Sequence, residues 1–218
     1  MVNSTCCACS AALHRRVCTK NGFTIVQCRC GLARTLLPVG FDPTSVYTKA
    51  YFDGSMADGY ANYTQSAEQL RAEFAPLARE LSERLPSSAD ASHNGGNGKP
   101  GLIEIGSAYG YFLDVARQYF DVAGVEVADD ARLAAQQRGH RVYANVTELT
   151  TANNRRQPDA AGSPRAAAAV MLDVIEHLQD PRATLDAVAA CSPAPRLSSQ
   201  RAIGVTSSPA SYASTGAY

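Results

Sequence analysis

The sequence has no excess charge of either sign: Lys and Arg number 20, Asp and Glu number 20, and the formal net charge is +0. That balance excludes a broad cationic surface for nucleic acid, though not a local one, and no nucleic-acid partner is expected. No apolar run reaches the ~20 residues that a membrane-spanning helix needs. The first residues, MVNSTCCACS, lack the charged segment and apolar stretch of a secretory signal. No internal repeat with a period of about 20–50 residues is visible. What is present is 45% hydrophobic, a globular composition that argues against wholesale disorder. With 218 residues there is room for one large domain, or for one ordinary domain and a small appendage. The expectation is a soluble, cytoplasmic protein without a membrane span.

Cysteine is concentrated at one end. Six of the seven, Cys6, Cys7, Cys9, Cys18, Cys28 and Cys30, fall in the first thirty residues, and only Cys191 lies elsewhere. Close clustering in an intracellular chain points to metal before disulfides. Cys6-x2-Cys9 and Cys28-x-Cys30-Gly31 read as two knuckles, and four thiolates would close a tetrahedral structural zinc site with no open position. Cys7 and Cys18 are also available, and a degenerate knuckle of free thiols is the alternative. Residues 1–40 are too few to bury a core and need such a staple. His14 is a spare ligand, whereas His93 and His140 read as solvated residues of a loop and a turn.

Residues 41–100 form a connector. It is aromatic at first, with Tyr47, Tyr51, Phe52, Tyr60 and Tyr63. A helix over 66–85 follows, with Leu70, Phe74, Leu77, Leu81 and Leu85 on one stripe and Pro76 as a bend or break. Residues 86–100 are a polar Gly/Ser/Asn linker. From residue 101 the pattern alternates: strands over 101–106, 122–127, 141–144 and 167–172, with helices between them over 109–119 and from Asp129 as a cap to Gly139. Asp180-Pro181 opens a further helix, with Asp as cap and Pro in the first turn. Residues 150–166 read as a long polar loop, and 202–206 as a doubtful fifth strand. Alternation of this kind implies an α/β fold, a parallel sheet with helices on both faces.

The segment Glu104-Ile-Gly106-Ser-Ala108-Tyr-Gly110 joins the first strand to its helix. In an open parallel sheet this is where nucleotide-like ligands bind. Gly106 and Gly110 permit a tight turn and a close approach of backbone to ligand. Glu126 ends the next strand, 20 residues after Gly106, a spacing that suits a carboxylate accepting from a ribose diol. The glycine series of a dinucleotide fingerprint is missing, with Ala108 and Tyr111 in its place, and so is a P-loop. Tyr111 is expected to crowd the contact between helix and strand. The turn therefore suits a nucleoside without phosphates.

LIEIGSAYGYFLDVA, VAGVEVADDARLAAQQRG and VMLDVIEHLQDP occur in that order. Together they resemble the motifs of class I S-adenosylmethionine-dependent methyltransferases, and most of all the branch with a D-V-I-E-H-L-x-D-P signature. That branch includes ubiquinone-type, small-molecule and sugar methyltransferases. The resemblance covers roughly residues 47–190 and implies a Rossmann-like, doubly wound, mostly parallel sheet over 101–191. By that resemblance Glu104, Gly106, Ala108 and Gly110 line the methionine part of S-adenosylmethionine, and Glu126 holds its ribose. Asn145 stands near the adenine amino group, and Leu172 and Asp173 approach the methionine end. The connector tyrosines either close over the cofactor or only pack the helix behind them. Zinc ribbons precede the methyltransferase domain in several relatives, usually with a second C-x2-C-G where this chain has C-x-C-G.

The implied reaction is methyl transfer to oxygen or carbon of a small-molecule acceptor. Three roles stay open for Asp173, Glu176 and His177. His177, with Glu176 beside it, is a general base on the acceptor; or the three hold a divalent cation; or Glu176 and His177 only order their loop. The competing functions are a catalytically degenerate cofactor-binding or interaction protein and a nicotinamide-dependent oxidoreductase, the latter opposed by the missing glycine series. The family's sheet has seven strands. Candidates for the last two are absent, and residues 192–218 read as a weakly structured or divergent tail, as after truncation or an altered reading frame. The fold is thus expected to be incomplete on its C-terminal side.

Overall fold

The computed structural model describes residues 5–12, 14–56, 59–85, 98–154, 166–191 and 203–206. It contains two sheets. The first is a three-stranded antiparallel sheet of β1 (His14–Lys20), β2 (Phe23–Cys28) and β3 (Ala33–Leu36). Asn21 and Gly22 join β1 to β2, both left-handed at φ 51 and 81, the two-residue hairpin turn that Asn-Gly favours.

Two short elements and a long one follow: a 3-10 turn at Pro43–Val46, α1 (Lys49–Asp53) and α2 (Ala67–Arg84). Of the bend or break read at Pro76, the break does not occur: α2 runs through it. Pro76 and Ala72, whose carbonyl loses its partner, both lie on the exposed face, so the freed oxygen is open to solvent. Leu70, Ala78 and Leu81 form the buried stripe.

The second sheet has the order β6-β5-β4-β7-β8, and all its pairings are parallel. Its strands are β4 (Gly101–Ile105), β5 (Asp121–Val125), β6 (Val142–Tyr143), β7 (Ala166–Leu172) and β8 (Ile203–Thr206). Helices α3 (Tyr111–Ala116), α4 (Asp129–Gln137), α5 (Val146–Asn154) and α6 (Pro181–Ala190) complete the unit. Successive strand residues face opposite sides. Leu102, Val122 and Val170 pack with α2 and α3, while Ile103, Val125 and Met171 pack with Leu149 of α5 and Val188 of α6. The sheet is therefore doubly wound, and β4 and β5 are buried at every position. Each fully buried aliphatic side chain contributes about 1.5–3 kcal/mol relative to exposure. No described helix is long and apolar enough to cross a membrane.

Three local expectations are corrected. Helix α5 covers 150–154, where the sequence reads as loop. It starts because Asn145 Oδ1 accepts from Glu148 N at 2.9 Å while Glu148 Oε2 accepts from Ala144 N at 3.0 Å, a near-relative of the capping box. Residues 155–165 and 192–202 lie outside the described residues. Asp129 does not cap α4; it is the first helical residue and pairs with Arg132, while Ala128 holds the cap position. His140 is 6% exposed, not solvated. Its Nε2 lies 2.7 Å from Asp114 Oδ1, and Asp114 Oδ2 takes Arg71 Nε at 2.8 Å and Arg138 as well. Burial raises the Asp114 carboxyl, but these three partners outweigh it and hold it below the usual range. Burial likewise pushes the His140 imidazole below its ordinary value, ahead of the opposing pull of Asp114.

Candidate functional site

The order in which strands are added reverses at β4, since β5 and β6 lie on one side of it and β7 on the other. The loops after β4, β5 and β7 meet at that switch point, the usual ligand crevice of such sheets. A cavity of about 520 Å³ lies there, within the range of roughly 300–1,000 Å³ typical of small-molecule sites. Its floor includes Gly106 and Ala108 after β4, Glu126 after β5, and Leu172 and Asp173 after β7.

The turn is tightly built. Gly106 has φ +76, and a Cβ there would sit 2.4 Å from Val174 Cγ2. Ala108 and Asp173 are left-handed at φ 44 and 52, a conformation that costs a non-glycine residue energy and that gathers at functional sites. Glu126 holds Ala108 in place. Its Oε2 accepts from Ala108 N at 2.7 Å and its Oε1 from Ala128 N at 2.8 Å. A carboxylate has about four acceptor positions, so both oxygens keep capacity for hydroxyl donors from a ligand. Burial raises the Glu126 carboxyl, against the opposing pull of these backbone amides.

Glu104 is 4% exposed, and its Oε2 has no hydrogen-bond partner. Burial, and next the charge of Glu126, push its carboxyl well above the usual range. The buried Ser107 hydroxyl is also without a partner. The base of the turn thus holds polar atoms that the protein leaves unsatisfied.

The aromatic connector forms the roof. Tyr47, Tyr51, Tyr60 and Tyr63 line the cavity, and Phe52 joins them through edge and stacked contacts. Burial pushes the Tyr47 hydroxyl up to about 12 and raises those of Tyr51, Tyr60 and Tyr63, so these rings stay neutral near pH 7. Tyr111, expected to crowd the helix–strand contact, instead turns its ring into this roof. It stacks on Tyr63 at 5.4 Å, with Arg71 and Arg138 against its faces.

The other expected residues divide. His177 lines the cavity and meets Tyr47 edge-on at 6.4 Å. Glu176, its neighbour on the 3-10 turn Ile175–His177, faces a second cavity that His177 also lines. Gly110 stands outside the lining, and a Cβ there would meet His140 Cδ2 at 2.9 Å. Its need for glycine comes from packing as well as from φ +80. Asn145 is engaged in starting α5 and is not among the lining residues. Leu70 and Phe74 of α2 and Ala183 and Thr184 of α6 line the cavity, although α2's stripe reads as core alone in the sequence.

The cysteines converge as the spacing suggests. The sulfurs of Cys6, Cys9, Cys28 and Cys30 lie within 4.8 Å of one another, with Cys6–Cys30 at 3.7 Å and Cys9–Cys28 at 3.4 Å. Tetrahedral zinc with Zn–S near 2.3 Å requires sulfurs about 3.8 Å apart, so the set fits the ion. Cys7 and Cys18 stand apart from it. Among the described residues this is the one group of three or more His, Cys, Asp or Glu side chains within reach of a metal ion, so Asp173, Glu176 and His177 do not make a second.

Residues 66–196, more than half of the chain, match the family described as Methyltransferase domain. The chain belongs to that family. The matched stretch of the methyltransferase domain contains α2, the turn after β4, Glu126 and the 3-10 turn with His177. Comparison with curated proteins finds no match. Solved structures similar to the methyltransferase domain include magnesium protoporphyrin IX methyltransferase from Synechocystis PCC 6803 with bound SAM, at 13% identity and a TM-score of 0.42. That match covers 72% of this chain and 75% of the other. The SAM-bound amino pentose methyltransferase from Micromonospora echinaspora is 20% identical, with a TM-score of 0.42, covering 61% of this chain and 52% of the other. The sugar N-methyltransferase from Streptoalloteichus sp ATCC 53650 is 18% identical, with a TM-score of 0.42, covering 60% and 48%. The match spans about half the length of these last two.

Proposed function

We propose that this chain is an S-adenosylmethionine-dependent methyltransferase of a small-molecule acceptor, in the branch that carries D-V-I-E-H-L-x-D-P. The observation that carries the reading is the switch-point cavity, where the Gly106 turn, Glu126 and Asp173 face one another beneath an aromatic roof. The Glu104 carboxyl stands behind the cavity's lining rather than in it, and its one bare oxygen suits the ammonium of a methionine end that reaches past Gly106. Glu126 retains acceptor positions for a ribose diol, and the neutral tyrosine rings suit a cationic sulfonium.

When bound, S-adenosylmethionine supplies an electrophilic methyl group on sulfur. The chain's own part is alignment: a glycine turn, two left-handed residues and the roof fix what enters and keep water out. His177 lines the cavity where an acceptor hydroxyl would sit; it would take that hydroxyl's proton as the oxygen is methylated and would pass it to solvent. Glu176 serves the acceptor from the neighbouring cavity. Asn145 and Gly110 act behind the site, on the start of α5 and the contact with His140.

We assign Cys6, Cys9, Cys28 and Cys30 to a structural zinc ribbon over residues 1–40. The connector spans 41–100, the cofactor-binding core 101–191 and a tail 192–218. Cysteines grouped as a metal-ligand set favour a reducing compartment, the cytoplasm.

Calorimetric titration of the full chain with S-adenosylmethionine tests the reading. Micromolar binding that Glu126→Ala weakens at least tenfold is expected. No binding at high micromolar concentration overturns it.

A further inference from the structure

The second cavity, about 910 Å³, opens between the cysteine-bound sheet and the 3-10 turn Ile175–His177. It is not separate from the first. Tyr47, His177, Leu178, Gln179 and Asp180 line both, so one wall divides them and His177 stands in it. The far wall comes from β3 and the segment after it, Leu36 to Phe41, with Phe23 and Leu32 beside them.

Apart from Arg34 and Thr35 that far wall is apolar, and part of it is uncovered. Val39 is 79% exposed, Leu32 39%, and Phe23 and Val46 36% each. Among the described residues eight large hydrophobic side chains are exposed, and these four all face this one cleft. Scattered exposure needs no explanation, but a gathered apolar patch does. The two walls are also tied together. Arg182, in the first turn of α6, donates to the carbonyls of Cys7 at 3.1 Å and Ala8 at 3.0 Å, and Gln179 Nε2 donates to Phe41 O at 3.3 Å. The cysteine-bound sheet is therefore held against the core, with its apolar edge turned to the 3-10 turn.

We propose that this cleft is the acceptor site, and that the cysteine-bound sheet forms its outer wall. The occupant is a hydroxy compound with an apolar body. Its body lies against Phe23, Leu32 and Val39, and its hydroxyl points through the shared wall toward His177. This rests on the methyltransferase reading, because the cleft is placed by its continuity with the cofactor cavity. It gives the sheet a second task besides holding metal: substrate recognition.

The test uses the full chain with 1-naphthol as probe, titrated calorimetrically with S-adenosylhomocysteine present and, separately, absent. Val39→Asp and Leu32→Asp place a carboxylate on the cleft wall at positions already partly in water. Val17→Asp, at a residue of β1 that is 49% exposed and outside the cleft, is the control. Naphthol binding that falls about tenfold in the first two variants and is unchanged in the third supports the proposal. S-adenosylhomocysteine affinity is expected to stay the same in all three. Equal naphthol binding by every variant, or none by a chain that binds S-adenosylhomocysteine, overturns the cleft and leaves the methyltransferase reading standing. The expected naphthol pattern in a chain that does not bind S-adenosylhomocysteine does the reverse. A dimer that Val39→Asp dissociates overturns the cleft in favour of a second copy of this chain.

Discussion

Glu104→Gln is the substitution that separates a ligand-binding carboxylate from a packing one. The side chain is buried at 4% exposure, one oxygen has no partner, and burial followed by the Glu126 charge raises its pKa well above the ordinary 4.5. A carboxyl whose folded pKa is raised costs nothing below about 4.5, where folded and unfolded chains both carry the proton. The cost grows as pH rises from there toward the folded value, because the unfolded chain sheds a proton that the folded chain keeps. Its ceiling is about 1.4 kcal/mol per pH unit, so at pH 7 it stays within roughly 3 kcal/mol. Gln keeps the shape and removes the charge. Glu104→Gln is therefore expected to leave stability near pH 4.5 unchanged and to raise it toward pH 7 by an amount up to that ceiling. At about 2–4 °C per kcal/mol for a chain of this size, the melting temperature rises by several degrees. A ligand ammonium beside the carboxylate reverses the balance, so the same variant is expected to bind S-adenosylmethionine at least tenfold more weakly. Wild-type binding is expected to release a proton, seen as a calorimetric heat that depends on the buffer. Thermal unfolding by circular dichroism at pH 5 and pH 7, with and without ligand, reads both effects. A variant that loses stability equally at the two pH values, or that binds as tightly as wild type, refutes the reasoning.

Gly106→Ala puts a methyl group 2.4 Å from Val174 Cγ2 at φ +76, and is expected to cost about 2–4 kcal/mol in urea unfolding and to abolish ligand binding. Purified protein is expected to contain close to one zinc per chain by elemental analysis, and Cys28→Ser to lower that content and destabilise β1–β3. Asp114→Ala leaves His140, Arg71 and Arg138 without their shared carboxylate and, since both guanidiniums stay partly in water, is expected to cost about 1–2 kcal/mol. Because the folded Asp114 pKa lies below 3.8, the stability it contributes is present above that value and lost as pH falls through the folded pKa. The difference from wild type should therefore shrink in acid unfolding curves.

The sheet and its glycine turn were legible because their signals are local: continuous apolar strands, an Asp-Pro helix start and a glycine pattern between strand and helix. The Asp180 cap is found as read, accepting from Ala183 N at 2.9 Å. Helix α5 was missed since its polar face resembles a loop, although Asn145 and Glu148 at capping-box spacing announce it. The buried state of His140 was invisible for a different reason. It depends on Asp114, Arg71 and Arg138, which stand 26, 69 and 2 positions away and meet only when three helices pack. The apolar edge of the cysteine-bound sheet was equally hidden. Leu36 to Phe41 takes its place along the cleft only through tertiary packing, which leaves Val39 in water.

The bonds from Arg182 to the Cys7 and Ala8 carbonyls reach across 175 and 174 positions of sequence. Translation adds about 5–20 residues per second, so roughly 10–35 s pass between synthesis of the first cysteines and arrival of the arginine that anchors them. For that interval the nascent cysteine knuckle has its thiols but not its docking partner. Until then only its own paired strands and its grouped thiols hold it together, and it meets the core only when the last described helix has emerged.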